Sequence, residues 1–90
     1  MRRAAKADKN QPEIVDALRK VGAAVVHLHQ VGGGCPDLLV HGRNRTFLLE
    51  VKQPGEKINK AQAEFIATWP GEVHVVRTID EAVKAVTGDW

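Results

Sequence analysis

Two short stretches of the sequence, GCPDLLV at residues 34–40 and LLEVKQP at residues 48–54, place charged residues inside apolar runs. The first run opens with Asp37, and the second contains Glu50 and Lys52. Both runs have the composition of β-strands, in which a small protein places much of its core. Charges at such positions are costly unless something compensates them. The three residues therefore indicate a site, and the alternative is a set of solvated charges on an edge strand.

The two runs are predicted to form a β-hairpin. A turn centred between Arg43 and Asn44 places Asp37 directly opposite Glu50, with Lys52 on the same face because strand side chains alternate with period two. Two opposed carboxylates repel each other. A divalent cation removes the repulsion, since Mg²⁺ takes carboxylate, water and phosphate oxygens as ligands. The other pairs predicted by this register are His41–Thr46, Val40–Phe47 and Leu38–Leu49.

Composition narrows the class of protein. The chain has 90 residues, 43% hydrophobic and 27% charged, which is typical of one globular domain. Its charge of +2 permits a polyanionic partner such as DNA. The single Cys35 excludes an internal disulfide and a cysteine-based zinc cluster. With no signal peptide and no apolar run near the roughly 18 residues of a membrane helix, we expect an intracellular, cytoplasmic protein.

The order of elements is predicted to be αβββαβα, a mixed α/β fold. A basic flexible tail at residues 1–9 precedes a single domain at residues 10–90. The first helix shows an amphipathic stripe, and the second helix is predicted to bury an apolar stripe through Ala63, Ile66 and Trp69. Asn59 and Thr78 are predicted to cap the later helices. Predicted helices start at Asn10, Asn59 and Thr78, and predicted strands span Val25–Val31, Asp37–His41, Thr46–Lys52 and Glu72–Arg77.

Pro36-Asp37 followed, after twelve residues, by Glu50-Val51-Lys52 resembles the PD-(D/E)xK nuclease motif. The wider frame is similar to the virus-type replication-repair nuclease (VRR-NUC) family of that superfamily. The pieces that carry this resemblance are Glu13 in the first helix, Gly34-Cys35-Pro36-Asp37, Glu50-Val51-Lys52 and Gln62 in the second helix. The resemblance implies a restriction-endonuclease-like αβββαβ core with a C-terminal helix.

The same resemblance implies an Mg²⁺- or Mn²⁺-dependent endonuclease acting on DNA. It makes Asp37, Glu50 and the Val51 carbonyl metal ligands, and it gives Lys52 the role of positioning or activating the attacking water. Glu13 is implied to reach the metal directly or through water, and Gln62 to support the lysine or the water. These two residues also stand three positions after Asn10 and Asn59, so each has a second interpretation as the far member of a capping box.

Other residues leave two interpretations open. Basic residues in the hairpin turn and before the second helix are either isolated surface charges or contacts to phosphates near the scissile one. Gly32–Gly34 either bend the chain or let a phosphate approach. The four histidines lack metal-ligand spacing, and Cys35 is more typical of a space-filler than of a reactive thiol. The basic residues predicted to contact DNA are Arg43, Arg45, Lys57 and Lys60.

By analogy with small stand-alone members of the VRR-NUC family, we expect a homodimer that prefers four-way (Holliday) junctions or other branched DNA. Two alternatives come from other classes. One is a catalytically inactive nucleic-acid-binding module with the same fold. The other is a structural subunit of a larger assembly, whose acidic residues pair with a partner.

Overall fold

The computed structural model describes residues 9–88 and has the predicted element order. The predicted tail therefore lies outside the described residues, apart from Lys9. Three helices and four strands alternate as αβββαβα. The helices are α1 (Gln11–Lys20), α2 (Lys60–Thr68) and α3 (Ile79–Thr87), and the strands are β1 (Ala24–His27), β2 (Leu38–Gly42), β3 (Arg45–Val51) and β4 (Val73–Val76).

The four strands form one sheet in the order β1-β2-β3-β4. The first two pairs are antiparallel and the β3–β4 pair is parallel. A parallel pair needs a long crossover, which α2 and its flanking loops provide. Strand β1 and strand β4 are thus the two edges of the sheet.

The hairpin register is the predicted one. Val40 pairs with Phe47 and Leu38 with Leu49. Arg43 and Asn44 both have positive φ, at 54° and 64°, which is the backbone of a two-residue type I′ turn. Because the turn fixes the register, it also fixes which side chains share a face.

The core lies between one face of the sheet and helices α1 and α3. Leu38, Val40 and Leu49 on that face are fully buried, and helix α1 contributes Ile14 and Leu18. Helix α3 is capped by the Thr78 hydroxyl, which accepts the Glu81 N–H at 3.1 Å. It packs through its apolar side, Ala82, Ala85 and Val86.

Strand β1 is shorter than predicted. It ends at His27, and the Val31 N–H donates to the Leu28 carbonyl in a turn. Val31 is accordingly 65% exposed. The β-branched residues favoured a strand to residue 31, but the glycines that follow bend the chain away before it can pair.

Helix α2 differs from the other two helices because none of its residues is buried. The predicted buried stripe through Ala63, Ile66 and Trp69 is therefore wrong. Trp69 is 45% exposed and stacks on Phe65, with ring centroids 5.1 Å apart. No helix among residues 9–88 is both long and apolar enough to cross a membrane.

Candidate active site

The sheet face opposite the core brings the predicted acidic residues together. Glu50 and Lys52 alternate with the buried Leu49 and Val51 of β3, so their side chains lie on the face away from α1 and α3. Asp37 immediately precedes β2 at the same end of the hairpin. The site therefore lies where β2 begins and β3 ends.

Asp37 is held by the backbone of β3. Its Oδ2 accepts the Val51 N–H at 2.8 Å, which takes the place of a further ladder hydrogen bond. The N–H and C=O of one strand residue point to the same side. The Val51 carbonyl is thus directed toward Asp37, as its predicted role as a metal ligand requires.

Glu50 is 3% exposed and is oriented by helix α2. Its Oε2 accepts a hydrogen bond from Gln62 Nε2 at 2.9 Å. Gln62 also completes a capping box with Asn59, in which each side chain accepts the other residue's backbone N–H at 2.9 Å. The capping-box interpretation of Gln62 is confirmed, and the same side chain contacts the Glu50 carboxylate. Its predicted support of the lysine or the water remains a prediction.

Lys52 is 7% exposed although it carries a charge. Its Nζ lies 4.0 Å from Glu56 Oε2, in the loop that follows β3. Glu56 is itself fixed, because its Oε1 accepts the Gln53 N–H at 2.8 Å and its carbonyl accepts two hydrogen bonds from Arg77. Sequence reasoning missed Glu56, since an acidic residue in a loop carries no recognisable spacing.

The capping box predicted at Asn10 and Glu13 does not form. Asn10 makes no side-chain cap, and its Nδ2 instead donates to the carbonyls of Lys52 at 2.9 Å and Arg77 at 3.0 Å. Asn10 therefore ties the start of α1 to the backbone beside the site. No sequence signal distinguishes such a bridge from an ordinary N-cap.

Glu13 is exposed on α1. Among residues 9–88, no three His, Cys, Asp or Glu side chains form a group that could hold a metal ion. Glu13 consequently does not join Asp37 and Glu50 as a third direct ligand in this structure. Its predicted role through a bridging water remains a prediction.

Cys35 lies in the field of both acids. Burial raises the pKa of its thiol, and the charges of Glu50 and Asp37 raise it further. A thiol held protonated is a poor nucleophile, which supports the space-filling interpretation. Because the charges of both Asp37 and Glu50 act on this thiol, both carboxylates lie near Cys35.

Gly34 lets the loop before Asp37 pass against α2. A Cβ atom there would stand 2.3 Å from the Ala61 carbonyl oxygen, and its φ is +81°. The close approach at Gly34 is thus made by the chain itself, and the approach of a phosphate to the glycines at 32–34 remains a prediction. Gly32 and Gly33 also have positive φ but face open space.

The basic residues predicted to contact DNA are divided between two ends of the sheet. Lys57 and Lys60 are exposed in the loop before α2 and in its first turn, within five residues of Gln62 in the sequence. Arg43 is exposed in the hairpin turn, six residues from Asp37, or about 20 Å along a strand. It therefore does not lie beside the acids.

Arg45 contacts other parts of the folded chain through hydrogen bonds and an ion pair. Its guanidinium pairs with Glu72 and donates to the carbonyls of Ala85 at 2.9 Å and Val86 at 3.0 Å, near the end of α3. It also lies over the Phe47 ring at 5.1 Å. These contacts connect β3 to α3, and a contact of Arg45 with DNA remains a prediction.

A comparison with solved structures finds a structure named "VRR_NUC domain", with a TM-score of 0.67. The match covers 92% of this chain and 100% of that one, at 19% sequence identity. The chain has the VRR-NUC fold. No protein-family model and no curated protein sequence matches it. The resemblance drawn from the motifs is confirmed for the fold.

Proposed function

We propose that this chain is a metal-dependent DNA endonuclease of the VRR-NUC family. The observation that carries the proposal is the convergence of Asp37, Glu50 and a buried Lys52 at one end of a hairpin, with both carboxylates oriented by hydrogen bonds. Solvated charges on an edge strand, the alternative interpretation, would not need carboxylates held in fixed orientations. The shared fold gives additional support.

The donor set fits Mg²⁺ or Mn²⁺. Asp37 and Glu50 provide carboxylate oxygens, and the Val51 carbonyl is directed toward them. Magnesium is commonly bound by one or two carboxylates together with water and substrate phosphate, so a cage of three acidic side chains is not required. When bound, the cation supplies positive charge that offsets the negative charge of the phosphate oxygens.

Three residues of the chain have separate tasks in this proposal. The Lys52 ammonium orients the attacking water and offsets charge that develops on the scissile phosphate. Gln62 keeps the Glu50 carboxylate in one orientation through the 2.9 Å hydrogen bond. The Val51 N–H does the same for Asp37. The proposed products carry a 5′-phosphate and a 3′-hydroxyl.

For the DNA itself, we assign phosphate contacts near the cut to Lys57 and Lys60, because both are exposed in the segment that connects β3 to Gln62. Arg43, at the far end of the hairpin, would contact a more distant phosphate. Each neutralised phosphate should steepen the salt dependence of binding. Substituting either lysine should therefore lower affinity for all DNA sequences alike.

We further propose that the protein acts as a homodimer on four-way or other branched DNA. Branched DNA with two-fold symmetry suits two sites related by the same symmetry. Helix α2 supports the dimer, since it has no buried residue and ends at the stacked pair of Phe65 and the exposed Trp69. A second copy would cover this surface.

The test is cleavage of a panel of linear, flapped and four-way DNAs with Mg²⁺, with Mn²⁺ and with a chelator. We expect cleavage only with metal, fastest on the four-way junction. Tight DNA binding without cleavage would favour the inactive binding module instead. Neither DNA binding nor metal binding would favour the structural subunit.

A further inference from the structure

A groove of about 400 Å³ runs between helix α1 and the edge strand β1, away from the carboxylates. Its lining includes Gln11, Asp16 and Arg19 from the helix and His27 and His29 from the strand and its extension. This volume falls within the range of about 300–1,000 Å³ that small-molecule sites occupy. The proposed nuclease activity assigns no task to any of these residues.

The groove is lined by the side-chain amide of Gln11, which is only partly hydrogen-bonded. Gln11 is 2% exposed, and its Nε2 lies 3.4 Å from His27 Nδ1. Its Oε1 is buried without a hydrogen-bond partner in the described chain. A buried acceptor left unpaired destabilises the folded protein. A ligand that brings an N–H donor to this position would remove that destabilisation.

The imidazole rings of His27 and His29 form one wall of the groove. His27 and His29 meet edge to face, with centroids 6.1 Å apart and planes at 79°. Arg19 is exposed and makes a single 3.3 Å hydrogen bond to the Val25 carbonyl. Planar imidazole and guanidinium groups are surfaces on which unstacked bases lie. A metal is not the occupant indicated, since no three ligand side chains group together within residues 9–88.

The groove adjoins the candidate active site across one strand. His27 pairs with Leu38, the neighbour of Asp37, and the Leu28 N–H donates to the Asp37 carbonyl at 2.7 Å. Adjacent strands are about 4.8 Å apart. The groove is thus one strand away from Asp37, on the α1 side of the sheet, so a base bound there would belong to a nucleotide at some distance from the scissile phosphate.

We propose that this groove binds an unpaired nucleobase of the DNA substrate. The inference rests on the proposed function, because it takes DNA as the substrate. One imidazole ring stacks on the base, the other meets it at its edge, and the Gln11 oxygen accepts from a base N–H. Branch points and bulges offer unpaired bases and perfect duplex does not, so the groove gives the enzyme a physical basis for selecting DNA structure.

The experiment compares two duplexes that differ by one bulged 2-aminopurine. Binding is followed by anisotropy and by 2-aminopurine fluorescence, in a chelator so that cleavage does not interfere. We expect the wild type to bind the bulged duplex about 10-fold more tightly and to change its fluorescence. His29→Ala should lose most of this preference. His41→Ala is the matched control, because His41 is exposed on the other face and contacts Thr46.

The outcomes separate the two proposals. Equal binding of both duplexes by the wild type, or an unchanged preference in His29→Ala, would overturn the groove assignment. An equal loss in His41→Ala would overturn it as well. If Mg²⁺ produces no cleavage while the preference depends on His29, the nuclease proposal fails and the groove stands. If Mg²⁺ produces cleavage but the wild type shows no preference for the bulge, the groove assignment fails and the nuclease proposal stands.

Discussion

Lys52 and Glu50 are the two charged side chains that are buried in the described part of the chain. The Lys52 Nζ lies 4.0 Å from Glu56 Oε2. Burying an ammonium costs hydration, and nearby negative charge offsets that cost. In the proposed function, the substrate phosphate adds such charge beside Lys52.

The first prediction concerns this residue. Lys52→Ala should lower the single-turnover cleavage rate by about 10²–10³-fold, because the ammonium acts on charge that develops in the transition state. The DNA dissociation constant should change much less. Lys52→Arg should restore little activity, since a planar guanidinium places its charge differently. Equal losses in rate and affinity would instead make Lys52 a phosphate anchor.

At the scale of elements, the loop before β2 and the start of α2 position the site together. Gly34→Ala should destabilise the protein by more than about 2 kcal/mol, because a Cβ would meet the Ala61 backbone at 2.3 Å and φ is +81°. Cleavage should fall as well, since Gln62 follows Ala61. The measurement is denaturant unfolding.

Gly32→Ala is the matched control for that substitution. Its φ is +80°, but nothing lies within 4 Å of the added Cβ. It should cost only the backbone strain, about 1 kcal/mol. Similar losses at the two positions would show that the contact with α2 is unimportant.

The ion pair between Arg45 of β3 and Glu72, just before β4, predicts a pH dependence of stability. Hydrogen bonds from Arg45, and then His74, lower the pKa of Glu72 in the folded protein. A lowered pKa gives stability that is present above the unfolded pKa and is lost as pH falls through the folded one. Glu72→Gln should therefore cost about 0.5–1 kcal/mol at pH 7, and this cost should disappear in acid.

Urea unfolding at several pH values measures this effect. Asp80→Asn is the control, since the Asp80–Lys84 pair is 3.9 Å long and the Asp80 side chain is 87% exposed. That substitution should change stability little at any pH. A Glu72→Gln cost that is the same at pH 7 and in acid would contradict the ion-pair account.

The parts of this fold that depend on local pattern were predictable. Period-two alternation and a two-residue turn determine the hairpin, so the positions of Asp37 and Glu50 could be read from the sequence. The caps at Asn59 and Thr78 depend on a hydroxyl or amide near a helix start and were predicted for the same reason. Such features need only neighbouring residues.

The contacts that were missed join distant parts of the chain. Asn10 reaches carbonyls 42 and 67 residues away in place of capping α1. Trp69 is outside the core because α2 lies where no second layer covers it. The sequence shows that Asn10 is polar and Trp69 is apolar, but it does not show which distant residues they contact.

At the scale of the whole molecule, the uncovered α2 predicts self-association. Light scattering at micromolar concentration should give a particle of twice 9.9 kDa. Trp69→Ala should shift it toward the monomer, because Trp69 is a large exposed apolar side chain at the end of α2. Ala67→Ser, also exposed on α2, is a mild control. A wild-type particle of 9.9 kDa would contradict the proposed dimer, but it would not contradict the proposed metal-dependent cleavage of DNA.

The most direct test of the central claim is Asp37→Asn, measured by DNA cleavage and by melting with and without Mg²⁺. Asparagine keeps an oxygen for the Val51 N–H, so the melting temperature without metal should be unchanged or raised. We predict no cleavage by the variant. Mg²⁺ at ten times its dissociation constant should stabilise the wild type by about 1.4 kcal/mol and the variant far less. A variant that unfolds, or that cuts DNA at the wild-type rate, would contradict the account.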